Sequence, residues 1–218
     1  MYVKELFYSF QGEGPWIGYP QIFIRFYGCN IHCSYCDEPD FAKDRKNVSL
    51  AWVQEQIRPF LDKPIHSISI TGGEPLLHTS AIKELAPILP FPLYLETNGL
   101  LPDKLLEVID LFTYFSVDYK PGFEKEFSAF MEVLRGRPNV YVKYILMKDF
   151  PKKDLEFVAQ FLSSFDGKVP LVLQPVTPFA NVHEKATVDD VYRAFDLCSK
   201  YLTDVRVIAQ THKFIGVR

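Results

Sequence analysis

The 218-residue chain lacks any apolar run approaching the roughly 20 residues that span a bilayer, so no membrane partner is expected. Its opening, MYVKELFYSF, lacks a basic region followed by a long apolar stretch and a small-residue cleavage site. No secretion signal is expected, and the predicted location is cytoplasmic. An excess of one charge is lacking too: 24 basic and 27 acidic side chains leave a net charge of −3. Nucleic-acid binding needs a concentrated positive field, and the longest basic cluster (Lys43, Arg45 and Lys46) is broken by Asp44. That cluster reads as a solvated loop, and no nucleic-acid partner is expected. Internal repeats and low-complexity tracts are absent. Apolar residues at 48% and charged residues at 23% exclude a disordered, collagenous or coiled-coil chain.

Cysteine is scarce but concentrated. There are four, and Cys29, Cys33 and Cys36 fall within eight residues, in GCNIHCSYCD. A secreted disulfide scaffold would spread its cysteines along the chain, so the clustering argues for a metal site in a reducing compartment. Soft thiolates select zinc, copper(I) or iron–sulfur centres. A closed structural zinc site normally recruits four ligands. Three cysteines without a distant partner suggest an iron–sulfur cluster with one open iron, and zinc completed by a remote histidine is the competing reading. Cys198, in a helical pattern, reads as a small buried apolar residue.

Strand-like and helix-like segments alternate. The strand candidates are 21–27, 65–70, 92–96, 112–118, 140–146, 170–174 and 205–209, rich in β-branched and aromatic residues. Several look apolar on both faces, as strands covered by helices should. Between them, Ser49 can cap a helix running toward Phe60, and Thr79 or Ser80 one over 82–89. Pro102 and Pro151 suit first helical turns, Thr187 and Asp190 form a capping-box-like pair, and 127–134 has a helical pattern. The predicted class is α/β with a mostly parallel sheet, folded as one domain over 1–218. Periodicity alone leaves an open doubly wound sheet and an incomplete barrel as alternatives.

Chemistry-bearing residues gather where strands end. Thr71-Gly72-Gly73-Glu74-Pro75 follows one strand: paired glycines let backbone approach a ligand, and Glu74 could hold an ammonium. Glu96-Thr97-Asn98-Gly99, Ser116-Val117-Asp118-Tyr119-Lys120 and Gln174-Pro175 end three more, and ligands of parallel α/β folds collect at such carboxyl ends. Tyr8, Phe10 and Trp16 are candidates to stack on a flat heterocycle. Lys120, His183 and His212 are further candidates near the site.

The cysteine spacing, with Tyr35 just before the last thiol, resembles the signature of the radical S-adenosylmethionine superfamily. The resemblance implies a partial (β/α) barrel and a [4Fe–4S] cluster on Cys29, Cys33 and Cys36. It also implies that the open iron chelates S-adenosylmethionine, cleaved reductively to a 5'-deoxyadenosyl radical, with the cofactor carrying the hard chemistry. Tyr35, Gly73, Glu74, Asn98, Ser116, Asp118 and Gln174 would then face S-adenosylmethionine, Glu74 and its turn taking the methionyl amino group. Phe10-Gln11-Gly12-Glu13-Gly14, its distance to Arg25 and Cys29, and Gln210-Thr211-His212-Lys213 resemble one family in particular, the 7-carboxy-7-deazaguanine synthases.

That family rearranges 6-carboxytetrahydropterin to 7-carboxy-7-deazaguanine with loss of ammonia, on the route to queuosine-type bases. The resemblance implies a homodimer, Mg²⁺, and an external reductant such as flavodoxin or ferredoxin. It implies substrate contacts from Phe10, Gln11, Gly12, Glu13, Arg25, Thr71 and His212, with Arg25 near the substrate carboxylate. One departure stands out: Glu38 occupies the position of the family's Mg²⁺-binding threonine. A carboxylate can still hold magnesium, or it could instead meet the protonated amine of queuine, which makes a queuine lyase of the salvage pathway the alternative. A noncatalytic iron–sulfur binding module is the alternative from another class.

Overall fold

The computed structural model describes residues 1–36, 45–165, 169–178 and 184–217. Glu38, Lys43, Asp44 and His183, named above, lie outside the described residues. Among the described residues, nine strands form one sheet: β1 (Tyr2–Phe10), β2 (Pro20–Phe26), β3 (Lys46–Asn47), β4 (Ser67–Gly72), β5 (Leu93–Thr97), β6 (Phe112–Asp118), β7 (Val140–Leu146), β8 (Leu171–Pro175) and β9 (Val205–Val207). Seven of these were expected, with ends shifted by a residue or two in most cases. The N-terminal β1 was not. Its YVKELFYSF carries alternating partners for β2, to which it pairs antiparallel. Nor was β3, where Lys46 pairs with Val3 at the sheet edge, so Lys46 itself lies in a strand rather than a loop.

The strand order is β3-β1-β2-β4-β5-β6-β7-β8-β9. From β2 to β9 every neighbouring pair is parallel. A doubly wound sheet reverses its order at a switch point. Here the order runs one way across the parallel strands, the winding of an incomplete barrel whose edges are β3 and β9.

Side chains alternate across each strand, and the two faces differ in chemistry. Ile22, Ile24, Ile68, Ile70, Leu93, Leu95, Phe115, Val117, Val142 and Leu173 belong to one large apolar core. Helices α1 (Leu50–Ile57), α2 (Thr79–Leu85), α3 (Pro102–Leu106), α4 (Glu124–Val133), α5 (Lys152–Ser163) and α6 (Val188–Cys198) contribute to the same core. In α5, Leu155, Val158, Ala159 and Leu162 recur at helical spacing and are fully buried. Cys198 is buried in this core, as expected.

The other face is not apolar throughout, which corrects the reading of these strands as hydrophobic on both sides. Its floor is aromatic: Tyr94 and Tyr141 pack with Trp16 and Tyr114. Toward the strands' carboxyl ends it turns polar, with Arg25, Thr71, Glu96, Asp118, Lys143 and Gln174. A cavity with a polar end can solvate a ligand with protein groups.

Most helix signals were realised locally. Ser49 accepts from Trp52 N, and Pro102 opens α3. Pro151 sits at the N-cap of α5 rather than inside its first turn, and α4 begins earlier than expected, at Glu124. Neither Thr79 nor Ser80 caps α2. A 3₁₀ turn, Pro75–His78, runs straight into that helix, and Thr79 Oγ1 instead donates to Glu107. Thr187 and Asp190 form both bonds of a capping box on α6. Thr187→Ala removes the acceptor for Asp190 N and should cost about 1 kcal/mol, read as a lower urea midpoint with an unchanged m-value.

Candidate active site

The carboxyl ends of β2 and β4 to β8 open into a cavity of about 400 Å³. Cys29, Cys33 and Cys36 all line it, and none is in a disulfide. Phe10, Gln11, Gly12, Glu13, Arg25, Tyr35, Thr71, Gly73, Asn98, Asp118, Gln174 and His212 line the same space. The structure therefore brings most of the expected residues together from separate segments of the chain. It does not bring all of them.

Glu74 is the first correction. Its side chain is fully buried and does not line the cavity. Oε1 accepts from Leu76 N at 3.0 Å and from Thr97 Oγ1 at 2.9 Å, and Oε2 accepts from Asn98 N at 2.8 Å. These partners leave it placed as a brace tying the Gly-Gly turn to the end of β5, rather than as a ligand for an ammonium. Ser116 is the second: it is 1% exposed and outside the cavity lining. Tyr8 and Trp16 also stay out. Tyr8 stacks on Phe60 and donates to Pro64 O, and Trp16 packs into the aromatic floor.

The glycine pair approaches a neighbouring loop. Glu74 N donates to Gly28 O at 2.8 Å, and Gly73 N donates to Phe26 O at 3.4 Å. A Cβ on Gly73 would fall 2.1 Å from Gly28 O and 3.0 Å from Cys29 Cβ. Close backbone contact thus sets the cysteine loop against the end of β4. Asn98 joins it from β5, donating Nδ2 to Asn30 Oδ1 at 2.7 Å and lying 3.9 Å from Cys29 Sγ.

On the opposite wall, the arm between β1 and β2 is held by an internal network. Gln11 Nε2 donates to Gln21 Oε1 (3.1 Å) and Glu96 Oε1 (3.2 Å), and its Oε1 accepts from Glu13 N. Both amide hydrogens are therefore committed inside the protein. Thr211 N donates to Gly12 O, and a Cβ on Gly12 would collide with the His212 ring. The arm and the helix α7 (Thr211–Ile215) thus pack as one wall. Arg25 pairs with Glu5 at 2.5 Å and lies 5.5 Å from the Phe7 ring centroid, while Phe7 and Phe23 stack at 5.1 Å along the lining.

Between the two walls runs a line of buried charge. Gln210 Nε2 donates to Glu13 Oε1 at 2.7 Å, and Lys143 Nζ donates to Glu13 Oε2. Lys143 also lies 3.2 Å from Asp118 Oδ1, and Lys120 donates to Asp118 Oδ2 at 3.0 Å. Burial alone would push Asp118 up, but the Lys120 and Lys143 ammoniums outweigh it and hold the carboxyl below its usual range. Burial pulls Lys143 down, and Asp118 and Glu13 more than reverse that. Glu96 is raised by burial, with Lys143 opposing. Lys143, Glu96 and Gln210 were not expected as site residues. The signal was present: Lys143 interrupts VYVKYIL, and Glu96 interrupts LYLET, where a charge on a buried strand needs partners.

The donor set fits the group implied by the cysteine spacing. Three thiols outside any disulfide share one cavity, which also contains an unsatisfied acceptor: Gln174 Oε1 is buried without a hydrogen-bond partner. A buried unpaired oxygen is costly unless a ligand supplies an N–H or O–H. Among the described residues, no three His, Cys, Asp or Glu side chains converge on one point for a single ion. A four-iron cluster takes each thiolate on a separate iron.

The radical SAM superfamily model matches residues 23–162. A protein named 7-carboxy-7-deazaguanine synthase from Methanocaldococcus jannaschii is 31% identical, covering 99% of both chains. One of the same name from Methanothermobacter thermautotrophicus is 34% identical over 99% of this chain and 97% of its own. Another from Archaeoglobus fulgidus is 35% identical over 98% and 97%. The chain belongs to the radical SAM superfamily and to its 7-carboxy-7-deazaguanine synthase family. The crystal structure of QueE from Escherichia coli shares the fold, with a TM-score of 0.62 at 20% identity over 96% of this chain and 93% of that one. Superfamily membership implies a [4Fe–4S] cluster and S-adenosylmethionine. Among the described residues, no helix is long and apolar enough to cross a membrane.

Two predictions test this geometry. Gly73→Ala should displace the cysteine loop, lowering iron and sulfide bound per chain after anaerobic reconstitution. Burial raises Glu74 to about 7 despite bonds from Asn98, Leu76 and Thr97. A carboxyl raised from about 4.5 on folding favours the folded state most at low pH. That contribution should fade as pH rises from about 4.5 to about 7. Glu74→Gln should cost about 1–3 kcal/mol by turning an amide against a backbone donor, and urea midpoints measured across this window should lose the wild-type slope.

Proposed function

We propose that the chain, residues 1–218 acting as one catalytic domain, is a 7-carboxy-7-deazaguanine synthase. It would convert 6-carboxytetrahydropterin to 7-carboxy-7-deazaguanine with release of ammonia. The observation that carries this is spatial: the cysteine loop, the Gln11–Glu13 arm and Arg25 open into one cavity, in a chain with full-length similarity to proteins of that name. Bound there, the cluster and S-adenosylmethionine supply one-electron chemistry that ends in hydrogen-atom abstraction from the substrate.

The chain's own residues bind and orient. Arg25 offers a planar fork to the substrate carboxylate, with Glu5 holding one edge of the guanidinium. Phe7 and Phe23 give a flat apolar wall for a bicyclic ring. Glu13 accepts from ring N–H groups, while Phe10, Gly12, Thr71 and His212 close the substrate side. The committed amide of Gln11 makes that residue a support for Glu13 rather than a donor to substrate. Tyr35, Gly73, Asn98, Asp118 and Gln174 face S-adenosylmethionine. Magnesium, with Glu38 as an oxygen ligand, a flavodoxin or ferredoxin as electron donor, a homodimer and a cytoplasmic setting complete the reading.

Anaerobically reconstituted protein should be given 6-carboxytetrahydropterin or queuine, with dithionite and S-adenosylmethionine, each with and without Mg²⁺. A product with the mass of 7-carboxy-7-deazaguanine is expected from the pterin. Turnover of queuine alone would replace the synthase reading with the lyase. Absence of 5'-deoxyadenosine under every condition would leave a noncatalytic iron–sulfur module. Cys33→Ala should abolish both cluster and product, and Arg25→Met should raise KM for the pterin by about tenfold or more, the loss of a charge-assisted contact.

A further inference from the structure

The two walls of the cavity belong to different ligands in the proposed reading, and one side chain is bonded to both. Glu13 sits on the arm that packs against α7. Asp118 ends β6, and its second lysine, Lys120, lies 5.2 Å from the centroid of Tyr35 in the cysteine loop. Lys143 is the bridge: its ammonium donates to Glu13 and pairs with Asp118, its strand neighbour in register. The line Lys120–Asp118–Lys143–Glu13 alternates in sign, and the side chains of both lysines are at most 10% exposed.

We propose that Lys143 is a positioning residue that couples the cofactor wall to the substrate arm. The proposal rests on the cofactor assignment and does not require the pterin to be the substrate. Its physical basis is the sharing of one ammonium. Three donor hydrogens sit between two carboxylates on separately anchored segments. A ligand that draws Asp118 toward itself changes the field and geometry that Lys143 presents to Glu13. Little water is present to screen the change, because Lys143 is 6% exposed. Coupling of this kind is reciprocal: a substrate that engages Glu13 tightens the cofactor side by the same factor.

The experiment is hydrogen exchange on the cluster-loaded full chain, with S-adenosylmethionine as the only added ligand. In the wild type, adding it should slow exchange at 71–74 and also across the cavity at 11–14 and 210–213, by about fivefold or more. In Lys143→Met, protection at 71–74 should persist while the response at 11–14 and 210–213 disappears. Lys143→Arg should restore part of it, because a guanidinium can still span two carboxylates. Lys143→Met leaves Glu13 facing a vacant partner, so Glu13→Gln/Lys143→Met, which removes both charges, is the control for folding. It should keep native circular dichroism and iron content and still show no response across the cavity.

An arm protected equally in wild type and Lys143→Met overturns the proposal, as does a wild-type arm that ignores S-adenosylmethionine. No pterin enters the measurement, so a failed synthase assay and a failed coupling are separate results. Where the pterin does bind, wild type should show a lower Kd for S-adenosylmethionine in its presence. The ratio of the two constants should fall toward one in Lys143→Met, and an unchanged ratio also overturns the proposal.

Discussion

Charges can line the interior of this sheet because nearly every one meets an opposite charge or a donor before it meets hydrocarbon. Isolated ions would be expelled or neutralised there. The alternation of Lys120, Asp118, Lys143 and Glu13 lets the polar half of the cavity exist beneath three thiols without disrupting the strands. The same requirement explains the aromatic floor. Tyr94 and Tyr141 share a hydroxyl contact at 3.0 Å and close the interior below the charges. Among the described residues, the unsatisfied oxygen of Gln174 then stands out as a place left for a ligand.

The parallel strands were legible because each is a short β-branched or aromatic run between helix signals, whereas periodicity left their order open. The cysteine loop was legible because its spacing is local. What escaped was the interior face. VYVKYIL reads as a buried strand, and its lysine becomes meaningful only when β6 and the β1–β2 arm bring carboxylates to it. β1 escaped because Lys4 and Glu5 break its apolar pattern, and its pairing with β2 is a long-range fact. Motif logic misplaced Glu74. It placed a carboxylate near a ligand from sequence adjacency, whereas the chain turns it inward to collect three donors. Glu38, which the resemblance marked as a departure, falls outside the described residues.

Position in the chain and function in the cavity are related by the winding of the sheet. Successive strands add successive carboxyl ends to one rim, so residues as distant as Arg25 and Gln174 become neighbours of the same space. Helices α1 to α6 pack into the apolar core, while α7 joins the cavity wall. Fold stability and ligand specificity are therefore drawn from alternate residues of the same strands. A substitution at an even position and one at the next odd position can have unrelated effects.

The contact of Gly12 with the His212 ring joins segments about two hundred residues apart. During synthesis the cysteine loop leaves the ribosome early and this wall late. Until the stretch around Gln210 has been made, the thiols face an unfinished vessel, open on the side that later encloses the ligand. The wall that closes the cavity against Gly12 is thus the last part of it to be synthesised.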